Sequence, residues 1–225
     1  LYNQFQFIAN ISYLKLTGNI FTNQNITEDT TQIEYFFLPQ DNSNWNMNIQ
    51  ISKYIPFIES TLKLTSNYSI SNFRTVVNNS DLRQNQNQFL SNSFFWKTAF
   101  DIFINFQNTF TYQYSNSKSE NQASFTNKSW QYTFKAILKT NERWSFIVSS
   151  DYYIPNTKQS EEQFFFLDAT LRHKPKSKKW EISFITRNLT NEKNFEQFQT
   201  SDISTTIFRS NLLPMFFLVN LTWNF

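Results

Sequence analysis

Apolar and polar side chains alternate with a period of two along most of this chain, the pattern of strands that meet a different environment on each face. Trp45-Asn46-Met47-Asn48-Ile49-Gln50-Ile51-Ser52 alternates throughout. Between Ile102 and Gln113, the residues Ile102, Ile104, Phe106, Phe110 and Tyr112 take one face, while Phe103, Asn105, Gln107, Thr109, Thr111 and Gln113 take the other. The same reading predicts strands over Gln4 to Tyr13, Thr61 to Ser71, Trp130 to Leu138, Trp144 to Ile154, Phe165 to Arg172, Trp180 to Arg187 and Phe217 to Phe225, with a less regular one over Gln88 to Trp96. The result is about ten strands at roughly 20-residue spacing, long enough to cross a bilayer when tilted.

The predicted connections alternate in length. Tight ones fall at Lys53 to Glu59, Lys97 to Asp101, Lys139 to Arg143 and His173 to Lys179; longer polar ones fall at Arg74 to Asn85, Ser115 to Gln122, Pro155 to Glu162 and Asn191 to Leu213. Short turns on one side and long loops on the other describe an antiparallel transmembrane β-barrel of the bacterial outer membrane, with the short side periplasmic. The last strand, Met215 to Phe225, then runs towards the periplasm and leaves the C-terminus there. Gly18 to Asn44 fits this pattern least, with Ile33 to Leu38 read as a short strand or an extracellular hairpin.

Composition agrees with two unlike faces. Hydrophobic residues are 40%, charged residues 16% and aromatics 19% of the chain, and mean hydropathy is −0.51. No window approaches the roughly 18 consecutive apolar residues of a membrane helix. Cysteine is absent, which excludes disulfides, thiol nucleophiles and thiolate metal sites. The formal charge of +3 is too small and dispersed for nucleic acid. With a single glycine, turns are expected to use asparagine in left-handed conformations, at Asn78-Asn79-Ser80 and Asp41-Asn42-Ser43-Asn44. The start, Leu1 to Phe5, carries no secretory signal, which is therefore removed or belongs to sequence outside this chain.

Charge placement tests the faces, since Lys or Arg at the bilayer midplane costs about 2 to 4 kcal/mol in such barrels. Lys63, Lys135, Asp151, Asp168, Arg172, Glu181 and Arg187 fall opposite the large apolar residues, while Lys15 and Lys53 have outward parity near strand ends, where a long side chain snorkels. The candidate lumen-facing set is Asn46, Asn48, Gln50, Asn105, Gln107, Thr109, Asp168, Arg172, Glu181 and Arg187. Trp96, Trp144, Trp180 and Trp223 form a candidate interfacial girdle beside the short turns. Phe217, Val219, Leu221, Trp223 and Phe225 form a candidate lipid-facing strand and insertion signal. Phe73 and Phe103 are read as interior aromatics near opposite ends.

No catalytic, metal or cofactor site is expected. His173, the lone histidine, reads as a solvated turn residue without partners for acid–base work. Glu161-Glu162 reads as a charged loop, and Lys174-Pro175-Lys176-Ser177-Lys178-Lys179 as a solvated basic turn. The sequons Asn67-Tyr68-Ser69 and Asn220-Leu221-Thr222 lie inside strands and do not imply glycosylation. Across the hairpin between the strands at Phe165 and Trp180, the faces predict Leu171 opposite Ile182 and Arg172 opposite Glu181, with an inward ion pair near the periplasmic end.

The run Phe164-Phe165-Phe166-Leu167-Asp168-Ala169-Thr170-Leu171-Arg172, the basic turn, Trp180-Glu181-Ile182-Ser183-Phe184, then Asn188-Leu189-Thr190-Asn191 and the finish Phe217-Leu218-Val219-Asn220-Leu221-Thr222-Trp223-Asn224-Phe225 resembles the closing strands of TonB-dependent receptors, of the SusC-like type. The chain departs from that family at Thr190, where Phe is usual. The resemblance implies a barrel of about 22 strands around a plug, of which residues 1–225 are the C-terminal part, with the plug domain and signal peptide outside this sequence. It implies import of a large nutrient, a glycan, a peptide or a chelated metal. The implied partners are outer-membrane lipid, the barrel-assembly machinery, the rest of its own barrel and plug, TonB and a surface lipoprotein. The competing reading is a structural or export barrel, or a small independent one, hosting partner proteins.

Overall fold

The computed structural model describes residues 5–120, 124–156, 162–177, 179–200 and 205–223. Its described residues form the strands β1 (Phe5–Leu16), β2 (Asn19–Ile26), β3 (Thr31–Leu38), β4 (Asn42–Ile55), β5 (Ser60–Val77), β6 (Arg83–Thr98), β7 (Ile104–Ser119), β8 (Phe125–Lys139), β9 (Trp144–Ile154), β10 (Phe164–His173), β11 (Trp180–Arg187), β12 (Asn194–Thr200), β13 (Thr205–Asn211) and β14 (Phe216–Trp223). Ten of them form one antiparallel path, β1-β4-β5-β6-β7-β8-β9-β10-β11-β14, and each contains or overlaps a stretch of period-two alternation. Among the described residues β1 and β14 end this path, and the sheet is not closed.

The remaining strands are hairpins. β2 and β3 extend the β1–β4 pair beyond a bulge, because Leu16 pairs with Asn42 while Asn19 pairs with Leu38, leaving residues 17–18 opposite 39–41. Gly18 takes φ 65° there, and a Cβ at that position would come within 3.1 Å of the Phe37 ring. The bend is fastened by Arg74, whose guanidinium donates to the Asp41 carbonyl at 2.9 Å, and by the Lys15–Asp41 ion pair at 2.6 Å. The hydrogen bond from Lys15 holds the Asp41 carboxyl below its ordinary range. β2 then runs parallel to the end of β5, Asn23 beside Val76. β12 and β13 form a separate two-stranded hairpin in the connection that the sequence reading took as a long loop.

Several connections are tighter than expected. β5 continues to Val77 and β6 begins at Arg83, so Arg74 to Asn85 is not a long loop. The turn closes with the Ser80 N–H donating to the Val77 carbonyl at 3.1 Å. Asn78 and Asn79 have φ of 51° and 55°, the primed geometry that matches strand twist. The other expected asparagine turn is absent: β4 already begins at Asn42. Likewise β7 runs on to Ser119 and starts only at Ile104, which leaves Ile102 and Phe103 in the turn, both exposed. Phe103 therefore lies in the β6–β7 turn and not on a strand.

Strand order and register give the sheet a shear. Cα partners run Phe5↔Lys53↔Leu62↔Trp96↔Asn108↔Phe134↔Ser150↔Leu167. That row leaves from the short-turn end of β1 and arrives nearer the opposite end of β10. Such an oblique row accompanies strands tilted to the axis about which a sheet coils. At the β10–β11 hairpin the expected faces hold but the register differs by two residues: Leu171 lies opposite Phe184, and Arg172 opposite Ser183. A slip of two preserves every face, and Arg172 still meets Glu181 diagonally, at 3.0 Å.

This sheet has no conventional core. Its accessible surface is 14972 Å², whereas a monomeric globular protein of 27.0 kDa exposes about 10,800 Å². Among the described residues the buried hydrophobic side chains are Phe21, Val77, Ala136, Phe164 and Phe198. Large apolar side chains instead line an open face of the sheet.

The β5–β6 turn yields a direct test. Asn78→Val should be less stable than Asn78→Gly by about 1 to 2 kcal/mol, the cost of left-handed backbone for a β-branched side chain, since both variants lose the acceptor for the Ile26 N–H. The difference is read as urea midpoints of refolding in detergent micelles; equal midpoints for the two variants would refute the turn geometry.

Candidate functional site

The paired registers divide the ten-stranded path into two faces. One carries Leu62, Leu64, Tyr68 and Ile70 on β5, Trp96, Phe94 and Leu90 on β6, and their counterparts on neighbouring strands. On β14 it carries Phe217, Val219, Leu221 and Trp223, whose exposures are 69%, 65%, 62% and 55%. Phe225, grouped with them from sequence, lies outside the described residues. From Leu62 to Ile70 the apolar positions extend roughly 26 Å at about 3.3 Å per residue, or about 20 Å in projection at a tilt near 40°.

Charges on this face are confined to its margins. Among the described residues of the path they are Lys15, Lys53, Arg74, Lys118 and Lys128, none more than four positions from a strand end. Polar side chains within the band are neutral, and the Tyr132 hydroxyl donates to the Asn108 side-chain oxygen at 2.7 Å, satisfying both groups on the apolar side.

Aromatic rings border the band at both ends. Trp96, Trp144, Trp180 and Trp223 lie towards the short turns. His173 joins them: it is the last residue of β10, paired with Trp144 on β9. Its ring centroid lies 4.1 Å from that of Trp144 and 5.6 Å from that of Trp180, and its Nδ1 is buried without a hydrogen-bond partner. It is thus not the solvated turn residue expected from sequence, because strand parity turns it onto the apolar face. The opposite border was missed. There Tyr13 packs on Trp45 at 4.5 Å and Tyr112 on Trp130 at 4.4 Å; their outward parity at the far ends of the strands expected from sequence was the available signal.

The other face is mainly polar. The register places Asn46, Asn48, Gln50, Asn105, Gln107, Thr109, Asp168, Arg172, Glu181 and Arg187 on it together. Asn48 donates its amide to Asn67, and Thr133 donates its hydroxyl to Asp151. Asn105 has a structural use: its side-chain oxygen accepts from the Phe100 N–H at 2.7 Å and the Thr98 hydroxyl at 2.9 Å, and its amide donates to the Phe100 carbonyl at 3.0 Å. It pins the β6–β7 turn. The face also carries apolar side chains, among them Ile137 beside Ile147, with Ile185 beside Leu218 further along.

The β12–β13 hairpin packs on this face. Phe195 lies 5.3 Å from Phe164 and 5.5 Å from Tyr153 between ring centroids, and buried Glu196 pairs with Arg209. The hairpin's root is held by Asn188, at φ 54°, whose side-chain amide donates to the carbonyls of Glu192 at 2.7 Å and Leu213 at 2.9 Å. Asp168 anchors the same corner, accepting from Arg187 at 2.6 Å and from the Asn188 N–H at 2.9 Å. Glu161 lies outside the described residues, and Glu162 is exposed.

No protein-family model matches the chain, and neither does any curated protein or solved structure.

Asp168→Ala should lower stability by about 1 kcal/mol or more, since it removes an acceptor shared by a charged donor and a backbone N–H. Arg172→Ala, which breaks only a half-exposed pair, should cost about 0.2 to 1 kcal/mol. Urea midpoints in micelles rank the two; the reverse order would contradict the role given to the Asp168 corner.

Proposed function

We propose that the chain is part of an outer-membrane β-barrel of the TonB-dependent receptor type, whose apolar face meets lipid and whose polar face meets an aqueous lumen and a plug. The observation that carries this reading is the exposed apolar band, free of charge between two aromatic borders. Left in water, such a surface forfeits about 25 cal/mol for each Å² of apolar area; hydrocarbon relieves that cost, while the backbone polar groups remain satisfied by the ladder. Its height approaches the roughly 25 Å apolar band of outer-membrane barrels, and aromatics at both borders fit the two membrane–water interfaces.

The receptor reading rests on the resemblance around Asn188-Leu189 and the alternating last strand. On that reading the open edges of β1 and β14 pair with further strands of a barrel of about 22. Ile137, Ile147, Ile185 and Leu218 give a plug something apolar to pack against. The transported nutrient is then a glycan, a peptide or a chelated metal, with TonB and a surface lipoprotein as partners and the short turns in the periplasm.

Val148 and Ser149 are adjacent at the middle of β9 on opposite faces. Val148→Arg should lower stability in bilayers by about 2 to 4 kcal/mol, and Ser149→Arg by much less, measured by urea-dependent refolding into vesicles. Equal losses would exclude a lipid-facing band. For the receptor part, nutrient uptake should cease when TonB is deleted; uptake independent of TonB would favour a structural or export barrel.

A further inference from the structure

Two neighbouring turns at the short-turn margin come together around a recess of about 830 Å³, which opens on the polar face. Its strand residues Lys139, Ser145, Arg172 and Glu181 all have that parity, and among its strand residues Trp144 alone belongs to the apolar face. Lys139 and Arg172 flank Ser145 in register, one on each neighbouring strand. At about 4.8 Å between strands, their Cα atoms stand roughly 10 Å apart. The small serine between them forms the floor of a cleft with a cation on either side.

The turns add to this charge. Arg143 comes from the β8–β9 turn, and Lys174 and Lys176 from the β10–β11 turn. The Lys174 N–H donates to the Arg143 carbonyl at 2.8 Å, and the Asn141 side-chain oxygen accepts from the N–H groups of Arg143 and Trp144 at 2.8 and 3.0 Å. The cations are therefore carried on one bonded framework. They share the recess with two acids, Glu142 and Glu181. Glu181 meets Nε of Arg172 at 3.0 Å, and the terminal nitrogens of a guanidinium are further donors. Gathering like charges in one concave place costs free energy, and a ligand with several negative groups relieves that cost.

We propose that this recess binds a small water-soluble solute bearing two or more phosphate or carboxylate groups, at the short-turn mouth of the lumen. Its volume falls in the range of small-ligand sites, roughly 300 to 1,000 Å³. Lys139 and Arg172 flank the solute, Arg143 offers a planar fork suited to either anionic group, and Lys174 and Lys176 close the rim. One carboxylate answers only part of this charge, so the site selects polyanions over monoanions. The basic turn at Lys174, read from sequence as solvated, becomes half of the site. The inference rests on the proposed function only for placing the site in a lumen.

The test is isothermal titration calorimetry of the full-length protein, refolded in neutral-detergent micelles at constant ionic strength, with inorganic pyrophosphate, tricarballylate and acetate as probes. Pyrophosphate and tricarballylate should each saturate one site, and acetate should bind at least about 25-fold more weakly, as two missing charges imply. Each cation removed should weaken polyanion binding about fivefold, so K174S/K176S should lose about 25-fold, while K174R/K176R binds as the parent does. K63S removes a lysine of the polar face outside the recess and should leave binding unchanged. K176S alone, in an exposed turn, gives the same comparison at about fivefold should the double variant not refold. No saturable binding of either polyanion, equal affinity for acetate, or equal losses in K63S and K176S would overturn the proposal. Insertion into vesicles is read separately: polyanion binding in micelles by a protein that does not insert would uphold the site and overturn the lumen reading.

Discussion

The hydrogen-bonded ladder from β1 to β14 fixes the parity of every side chain on the path, and a slip of one residue in any strand would exchange its two faces. A single such slip on β9 would carry Asp151 into the apolar band and Trp144 away from His173. The remaining features follow from that constraint: charges of the apolar face at its margins only, aromatic borders at both ends, and the Arg172–Glu181 and Arg187–Asp168 ion pairs on the polar face. Register here is a condition on where charge can lie, more than on how tightly strands bind.

The turns keep that register without glycine. Asn78 and Asn79 adopt left-handed backbone between β5 and β6, Asn105 ties the β6–β7 turn through its side chain, and Asn141 accepts from the Arg143 and Trp144 N–H groups at 2.8 and 3.0 Å. Asn188 does the same for the corner that leads to β12. Asparagine suits each place because its amide bonds to nearby backbone and it tolerates positive φ better than other residues with a Cβ. The composition thus has a structural consequence, with side-chain amides closing turns where many sheets use glycine.

Much of this was legible in the sequence, because period-two alternation is strong wherever one strand separates two environments. The strand positions from Phe5 to Trp223 on the main path, the side taken by Lys135 and Asp168, and the short-turn tryptophans all follow from parity. The β12–β13 hairpin was not legible, and of the β2–β3 hairpin only Ile33 to Leu38 was, as a short strand or hairpin that β3 matches, for identifiable reasons. The bulge at Gly18 interrupts the alternation between β1 and β2, and Phe195 and Phe198 on β12 stand on opposite faces, so neither segment shows a clean pattern. The two-residue error at Leu171 arose because even slips leave all faces unchanged, and only the path of the turn selects among them. His173 was misplaced by its neighbours in sequence: the basic turn begins one residue later. The Asn188-Leu189 pair stood out only as a motif, whereas its backbone bonds to Glu192 and Leu213 required three dimensions.

The central claim is that one face of the sheet lies in hydrocarbon and the other in water. The cysteine-free sequence permits single spin labels at each position from Trp144 to Ile154 without background thiols. Electron paramagnetic resonance of the protein in vesicles then measures collision with oxygen, which concentrates in lipid, and with a water-soluble nickel chelate. The account predicts alternation with a period of two: oxygen accessibility high at 146, 148 and 150 with its maximum near 148, and nickel accessibility high at 145, 147, 149 and 151. Nickel accessibility at every position, or oxygen accessibility without alternation, would contradict it.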